Sequence, residues 1–296
     1  MVRILWNEMV NEYRLARASI KGKSFVMVEG RTDRALWTEF IPDQFAYLVY
    51  ADGKTDIVDA MNTPVMRGIE GVAGIVDADY WLITDADELG TENLLYDAHC
   101  PDLESLLLCS PALKKVLRNH LYNYNVDEIH AFADRLACNA QRLAAEFGYF
   151  RLLNHLEDYG IRFRDFDVSE VIDPDALRLD RARTAKRLAQ TTAAVSCEDL
   201  LRQVDALRKS YPPENPQICR GKDVVAILAY LLPLRFRAEF GDALPQNVTV
   251  ALNGRALSIG LRSAYDSAYF KETSLFNCIQ SWESTNTPYK ILKPEI

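Results

Sequence analysis

The sequence predicts an α/β fold, with a mostly parallel, four-stranded sheet over about residues 20–110 and a mainly α-helical domain over 111–296. Three observations point that way. Short apolar runs alternate with helical patterns in the first half, as they do in βαβ units. The second half consists of longer amphipathic segments separated by turns. With 296 residues, 49% hydrophobic and 26% charged, the chain is long enough to bury a full core. Disorder and a disulfide-stapled miniprotein are excluded. The longest apolar runs, 103–108 and 224–234, fall short of the about 18 residues that suggest a membrane span. Residues 1–13 carry no signal-peptide apolar core, so a cytoplasmic protein without a membrane partner is expected.

The elements follow in order. Residues 7–18 have helical periodicity. Residues 24–28, Ser-Phe-Val-Met-Val, form a continuous apolar run of the kind buried on both faces of a parallel sheet. A helix over 32–40 follows a glycine turn, and 45–50 is aromatic and β-branched, hence a strand. After an Asp-Gly turn come a short helix at 56–62, strands at 72–76 and 94–96, and a helix opening at Pro101, a residue suited to the first helical position. The helical half reads as 112–121, 126–146, 150–159, 174–190, 197–210 and 222–240. A short strand at 248–252 and a last helix at 262–283 complete it.

Charge is unevenly placed. The chain nets −8, but residues 68–113 hold ten acids and no Lys or Arg, so the other 250 residues net +2. The acids alternate with apolar residues, which indicates a folded element rather than a tail. The six cysteines never form CxxC and the four histidines show no HxxxH or HExxH spacing. Zinc is therefore disfavoured, the cysteines read as small buried hydrophobes, and any metal would be held by oxygen, as Mg²⁺ or Mn²⁺ are.

Three acidic clusters fall at predicted strand ends, where open α/β sheets bind ligands. The first is Val28-Glu29-Gly30-Arg31-Thr32-Asp33, a strand ending in glutamate with Asp33 in the next helical turn. The second is Val76-Asp77-Ala78-Asp79; on an extended chain residues two apart share a side, so both carboxylates can address one cation. The third is Pro101-Asp102-Leu103-Glu104. Each alone also reads as structural, by ion pairing or helix capping. Together they describe an oxygen-ligand Mg²⁺ site, suited to phosphoryl transfer or phosphodiester cleavage. Asp52-Gly53-Lys54-Thr55 precedes a helix and offers Lys54 to a phosphate. In the helical half, Lys222 opens an apolar helix, where an anion would offset its clash with the dipole. Arg178, Arg181, Arg183, Lys186 and Arg187 form a basic run that reads as a solvated face, a phosphate track or a partner surface.

The glutamate-glycine strand end and the Asp-x-Asp strand end resemble the Toprim domain, a Rossmann-like catalytic domain of topoisomerases, primases and OLD-type nucleases. With Asp33, Gly53-Lys54 and the Asp-Leu-Glu of 102–104, the chain is similar to the Toprim-like proteins encoded beside ABC-type ATPases in defence islands, among them AriB-type effectors of the PARIS anti-phage system. The resemblance covers about residues 20–110. It implies a metal-dependent nuclease in which Glu29 is a ligand or general acid/base, Asp77 and Asp79 bind Mg²⁺, and Asp33 and Glu104 complete the acidic shell. Lys222 corresponds to the lysine OLD-type nucleases place near their metals. The resemblance further implies an RNA substrate such as tRNA, restraint by an ABC-type ATPase partner, and a homodimer when active. No GxxxxGK[ST] occurs in the chain, so that ATPase would be a separate protein. Two other readings stay open: a DNA-directed OLD-like nuclease, and an inactive Toprim regulatory or scaffold subunit.

Overall fold

The run Ser24–Val28 is buried at all five positions and forms β1, an interior strand of the sheet. The structure is a computed structural model and describes residues 6–16, 21–84, 92–164, 166–212 and 215–293. Asp85, Asp87, Glu88, Pro213, Glu214 and the last two residues of the predicted helix 7–18 lie outside these. The chain divides into two compact units, Met1–Leu103 with Asp266–Ile296, and Glu104–Tyr265.

In the first unit α1 (Trp6–Ala16) precedes β1, followed by α2 (Arg31–Trp37), β2 (Ala46–Tyr50), α3 (Lys54–Asn62), α4 (Pro64–Arg67), β3 (Val72–Ile75), α5 (Trp81–Thr84) and β4 (Leu94–Leu95). All four strands are parallel, in the order β2-β1-β3-β4, so the predicted α/β class and parallel sheet are borne out. Phe25 and Met27 join one core cluster with Val10, Tyr13, Ile57 and Met61. Gly74 in β3 makes this packing possible: a Cβ there would sit 2.6 Å from Ile57 Cγ2 and 3.2 Å from Leu94 Cδ2.

The order matters for the site. From β1 the chain moves outward to β2, then crosses back to β3 on the other side of β1 and on to β4. The connections thus diverge between β1 and β3, the switch point where open parallel sheets leave a crevice at their carboxyl ends. Val28 is in register with Ile75, so Glu29 and Asp77 leave adjacent strands at nearly one level.

The second unit contains α6 (Leu103–Leu108) from Glu104 onward, α7 (Ala112–His120), α8 (Val126–Glu157), a two-stranded antiparallel ribbon of β5 (Ile172–Asp173) and β6 (Arg178–Leu179), α9 (Arg181–Ala189), α10 (Cys197–Ser210), α11 (Gly221–Phe240), α12 (Gln246–Ala251) and α13 (Gly254–Ala264). Several expectations are corrected. Helix α8 runs unbroken for 32 residues, where the sequence suggested two helices around Gly148. That glycine is a contact point, because a Cβ would lie 2.1 Å from the Ile218 carbonyl oxygen. The predicted helix 174–190 begins only at Arg181, capped by Asp180 Oδ1 accepting from Arg183 N at 3.0 Å; before it the chain is the β5–β6 ribbon. The predicted strand 248–252 is helical, as α12. The helix 222–240 is present, with Pro233 inside it.

After α13 the chain rejoins the first unit with α14 (Ser267–Phe270) and α15 (Ser274–Thr285). The single helix expected over 262–283 is interrupted by two caps: Asp266 Oδ1 accepts from Ala268 N, and Thr273 Oγ1 accepts from Phe276 N. Residues 266–293 therefore pack with the sheet unit, although the sequence reading grouped them with the helical domain from 111. Asp97 is the main tie. Its Oδ2 accepts from Leu275 N at 2.9 Å, and its Oδ1 accepts from His99 N and Cys100 N at 2.8 Å each. Phe270 packs on Trp37 and Phe40, and Trp282 donates to Asn93 Oδ1 at 2.8 Å.

None of the six cysteines is in a disulfide, and only Cys100 is buried; Cys109 and Cys138 are exposed, against the expectation of buried thiols. Among the described residues no helix is long and apolar enough to cross a membrane.

Candidate functional site

β1 delivers Glu29 and β3 delivers Asp77 to the switch point. The Asp77 backbone N–H donates to Glu29 Oε1 at 2.8 Å, which links the two strand ends directly. On the other side, Leu103 N donates to Asp77 Oδ1 at 3.1 Å. Glu29 and Asp77 are partly buried at the residue level, with little solvent to stabilise their charge. Burial, opposed by the hydrogen bond from Asp77 N and augmented by the negative charge of Asp79, pushes Glu29 up to about 7 from 4.5. Asp77 is raised well above its ordinary value, first by burial, then by the charges of Glu29 and Asp102, with Asp79 and Asp33 adding to it. Two carboxyl groups that each disfavour the other's ionisation attract a cation or hold a proton.

Asp33 stands in the first turn of α2, three residues past the Gly30 N-cap. Its Oδ2 folds back to within 3.0 Å of where a Gly30 Cβ would lie, and its charge acts on both Glu29 and Asp77.

Asp79 departs from the extended geometry expected of Asp-x-Asp. β3 ends at Ile75, and Asp79 takes a left-handed conformation with φ 47°. The turn is held by Asp79 N donating to Pro101 O at 2.8 Å and Trp81 N donating to Ala78 O at 3.0 Å. The Asp79 carboxylate meets Lys54, whose Nζ is 2.5 Å from Oδ2 and 3.2 Å from the Asp77 carbonyl oxygen. The same ammonium lies 4.2 Å from the centre of the Trp81 ring. Lys54, expected to meet a phosphate, is thus engaged inside the protein. It is placed by Gly53, whose φ of 124° suits glycine alone and turns the chain into α3.

Glu29, Asp33, Lys54, Asp77 and Asp79 are brought together in the first unit. The helix expected to open at Pro101 starts two residues later, at Leu103, because the Pro101 carbonyl serves the Asp79 turn. In the third cluster it is Asp102, 6% exposed, whose charge reaches Asp77. Glu104 and Lys222 belong to the second unit. Glu104 is buried in the first turn of α6. Lys222 is exposed at the start of α11, next to Asp223, which pairs with Arg151 through contacts of 2.5 and 2.7 Å. The basic run is partly spent within its own unit: Arg181 pairs with Asp205 and Arg187 with Glu170, while Arg178, Arg183 and Lys186 are exposed. The sequence places Asp102 and Glu104 in one acidic cluster and assigns Glu104 to the metal shell, whereas the charge that reaches Asp77 is that of Asp102; Trp81 is a buried core residue whose ring also faces the Lys54 ammonium.

The donors suit Mg²⁺ or Mn²⁺. They are hard carboxylate oxygens, and a cation would favour the ionised forms of Glu29 and Asp77 that burial and mutual charge disfavour. Mg²⁺ needs only one or two protein carboxylates, since waters and substrate phosphates fill its remaining positions. Among the described residues no three His, Cys, Asp or Glu side chains group as a metal nest, so a fit is to two carboxylates and not to three. No protein-family model matches the chain, and no curated protein matches it.

Proposed function

We propose that the chain is a Mg²⁺-dependent Toprim-type nuclease cleaving nucleic-acid phosphodiesters, with the acidic switch-point site as its catalytic centre. The observation that carries this reading is the Glu29–Asp77 pair at the carboxyl ends of adjacent parallel strands, with both groups driven above their ordinary pKa. A divalent ion bound there supplies Lewis-acid stabilisation of the phosphate and makes its bound water more acidic. Glu29 would be the first anchor of that ion, releasing as it binds the proton that burial lets the side chain keep up to about pH 7. Asp77 is the second anchor, held in orientation by the Leu103 N–H. Asp33 and Asp102 deepen the negative field that recruits the ion.

The resemblance to AriB-type effectors supports the finer part of the proposal: an RNA substrate such as tRNA, a toxic role in anti-phage defence, restraint by a separate ABC-type ATPase, and an active homodimer. The purified chain is incubated with tRNA and with supercoiled plasmid in Mg²⁺, beside Glu29→Gln and Asp77→Asn. Cleavage of tRNA by the wild type alone supports the proposal. Cleavage of plasmid alone replaces RNA by DNA. Variants that cut as the wild type does, with tryptophan fluorescence unchanged, overturn the site assignment.

A further inference from the structure

We infer that the Lys54 ammonium stands in for a second cation, so that the site takes one divalent ion, at Glu29 and Asp77, and not two. The inference rests on the metal-dependent reading above and specifies its stoichiometry. Three strand-end carboxylates offer enough charge for a pair of ions, but one of the three is already neutralised from within. Lys54 Nζ contacts Asp79 Oδ2 at 2.5 Å, the Asp77 carbonyl oxygen at 3.2 Å and the Trp81 ring at 4.2 Å, so three residues fix it. Its side chain is only 19% exposed, unlike a lysine waiting in solvent for a phosphate.

The backbone is bent on both sides to make this contact. Gly53 uses φ 124° to begin α3 at Lys54, and Asp79 takes φ 47°, a conformation rare for a residue with a Cβ. A lysine in the first turn of a helix opposes the dipole, and the Asp79 carboxylate and the Trp81 face offset that. The absence of a three-carboxylate nest among the described residues agrees: the Asp79 carboxylate is matched to the lysine, leaving Glu29 and Asp77 as ligands.

The experiment counts bound Mn²⁺ per chain by electron paramagnetic resonance and calorimetry, without substrate. Wild type and Lys54→Arg are expected to bind one ion. Lys54→Met is expected to bind two, the second lost when Asp79→Asn is added. Asp79→Asn alone keeps the single ion with its Kd changed less than about threefold, whereas Glu29→Gln with Asp77→Asn loses it. Two ions on the wild type, one on a folded Lys54→Met, or a tenfold loss of affinity in Asp79→Asn overturns the inference while leaving a metal site in place. If Lys54→Met does not fold, Asp79→Asn decides. No ion bound by the wild type removes the metal reading itself, and this inference with it.

Discussion

Replacing Glu29 with Gln should stabilise the first unit, and only above the pH at which Glu29 ionises. In the folded chain Glu29 titrates near 7, against 4.5 for an ordinary glutamate. A raised carboxyl pKa means the folded state holds the proton more tightly than the unfolded state. The stability this gives is complete below pH 4.5 and is lost as pH rises through 7. At 1.36 kcal/mol per unit, the loss is about 3 kcal/mol. Gln keeps an oxygen to accept from Asp77 N and never carries the charge. Part of the gain goes to Asp77, which ionises more readily beside a neutral neighbour, so about 2 kcal/mol is expected at pH 8 and about zero at pH 4.5. All four tryptophans, Trp6, Trp37, Trp81 and Trp282, lie in the first unit. Urea unfolding followed by tryptophan fluorescence in EDTA therefore reads this unit alone. A variant whose advantage is the same at both pH values, or which is less stable at pH 8, would refute the electrostatic account.

Three further outcomes are expected. At pH 8, Mg²⁺ at about 100 times its Kd should raise wild-type stability by about 2.7 kcal/mol, and Asp77→Asn should abolish the gain in the same fluorescence assay. Gly148→Ala should destabilise the second unit by about 2 kcal/mol by circular dichroism, because its Cβ would meet the Ile218 carbonyl oxygen at 2.1 Å; helix propensity alone predicts a gain of about 1 kcal/mol. Asp97→Ala leaves three backbone N–H donors without their acceptor and should cost about 3 kcal/mol, seen as faster hydrogen exchange at Leu275 and Cys100.

The sheet was legible because parallel strands buried on both faces are continuous apolar runs, and Ser24–Val28, Ala46–Tyr50 and Val72–Ile75 lie within one residue of the predicted bounds. Glu29 and Asp77 were legible for the same reason, as the acids that end two such runs. Asp79 was not: the Asp-x-Asp pattern predicts an extended pair, and only the hydrogen bond to the Pro101 carbonyl turns it toward Lys54. Sequence spacing also does not separate Asp102 from Glu104, since both precede or open one short helix and spacing does not say which unit each joins. Gly148 read as a break because glycine lowers helix propensity, whereas its role is a close approach to a segment 70 residues away. The return of residues 266–293 depends on Asp97 reaching Leu275 across 178 positions, a pairing no local pattern carries.

The strongest objection to a functional reading of Glu29 and Asp77 is that acids near turns and helix starts commonly serve structure. The same chain supplies the comparison. Asp167 is such a structural acid: it accepts from Ser169 N at 2.9 Å and Ser169 Oγ at 2.6 Å, and these bonds hold its carboxyl below the usual range. Ionisation there strengthens the fold. Glu29 and Asp77 also accept backbone N–H bonds, at 2.8 and 3.1 Å, yet burial and each other's charge outweigh those bonds and drive both upward. Their ionisation weakens the fold, so capping does not account for them. Nor does ion pairing, because the lysine in reach is on Asp79. Asp77 stands beside Glu29 at the crevice that the strand order creates between β1 and β3. A cation arriving there removes an electrostatic cost that the fold otherwise carries at neutral pH, and that gives the pair an affinity for Mg²⁺ which a merely acidic surface lacks.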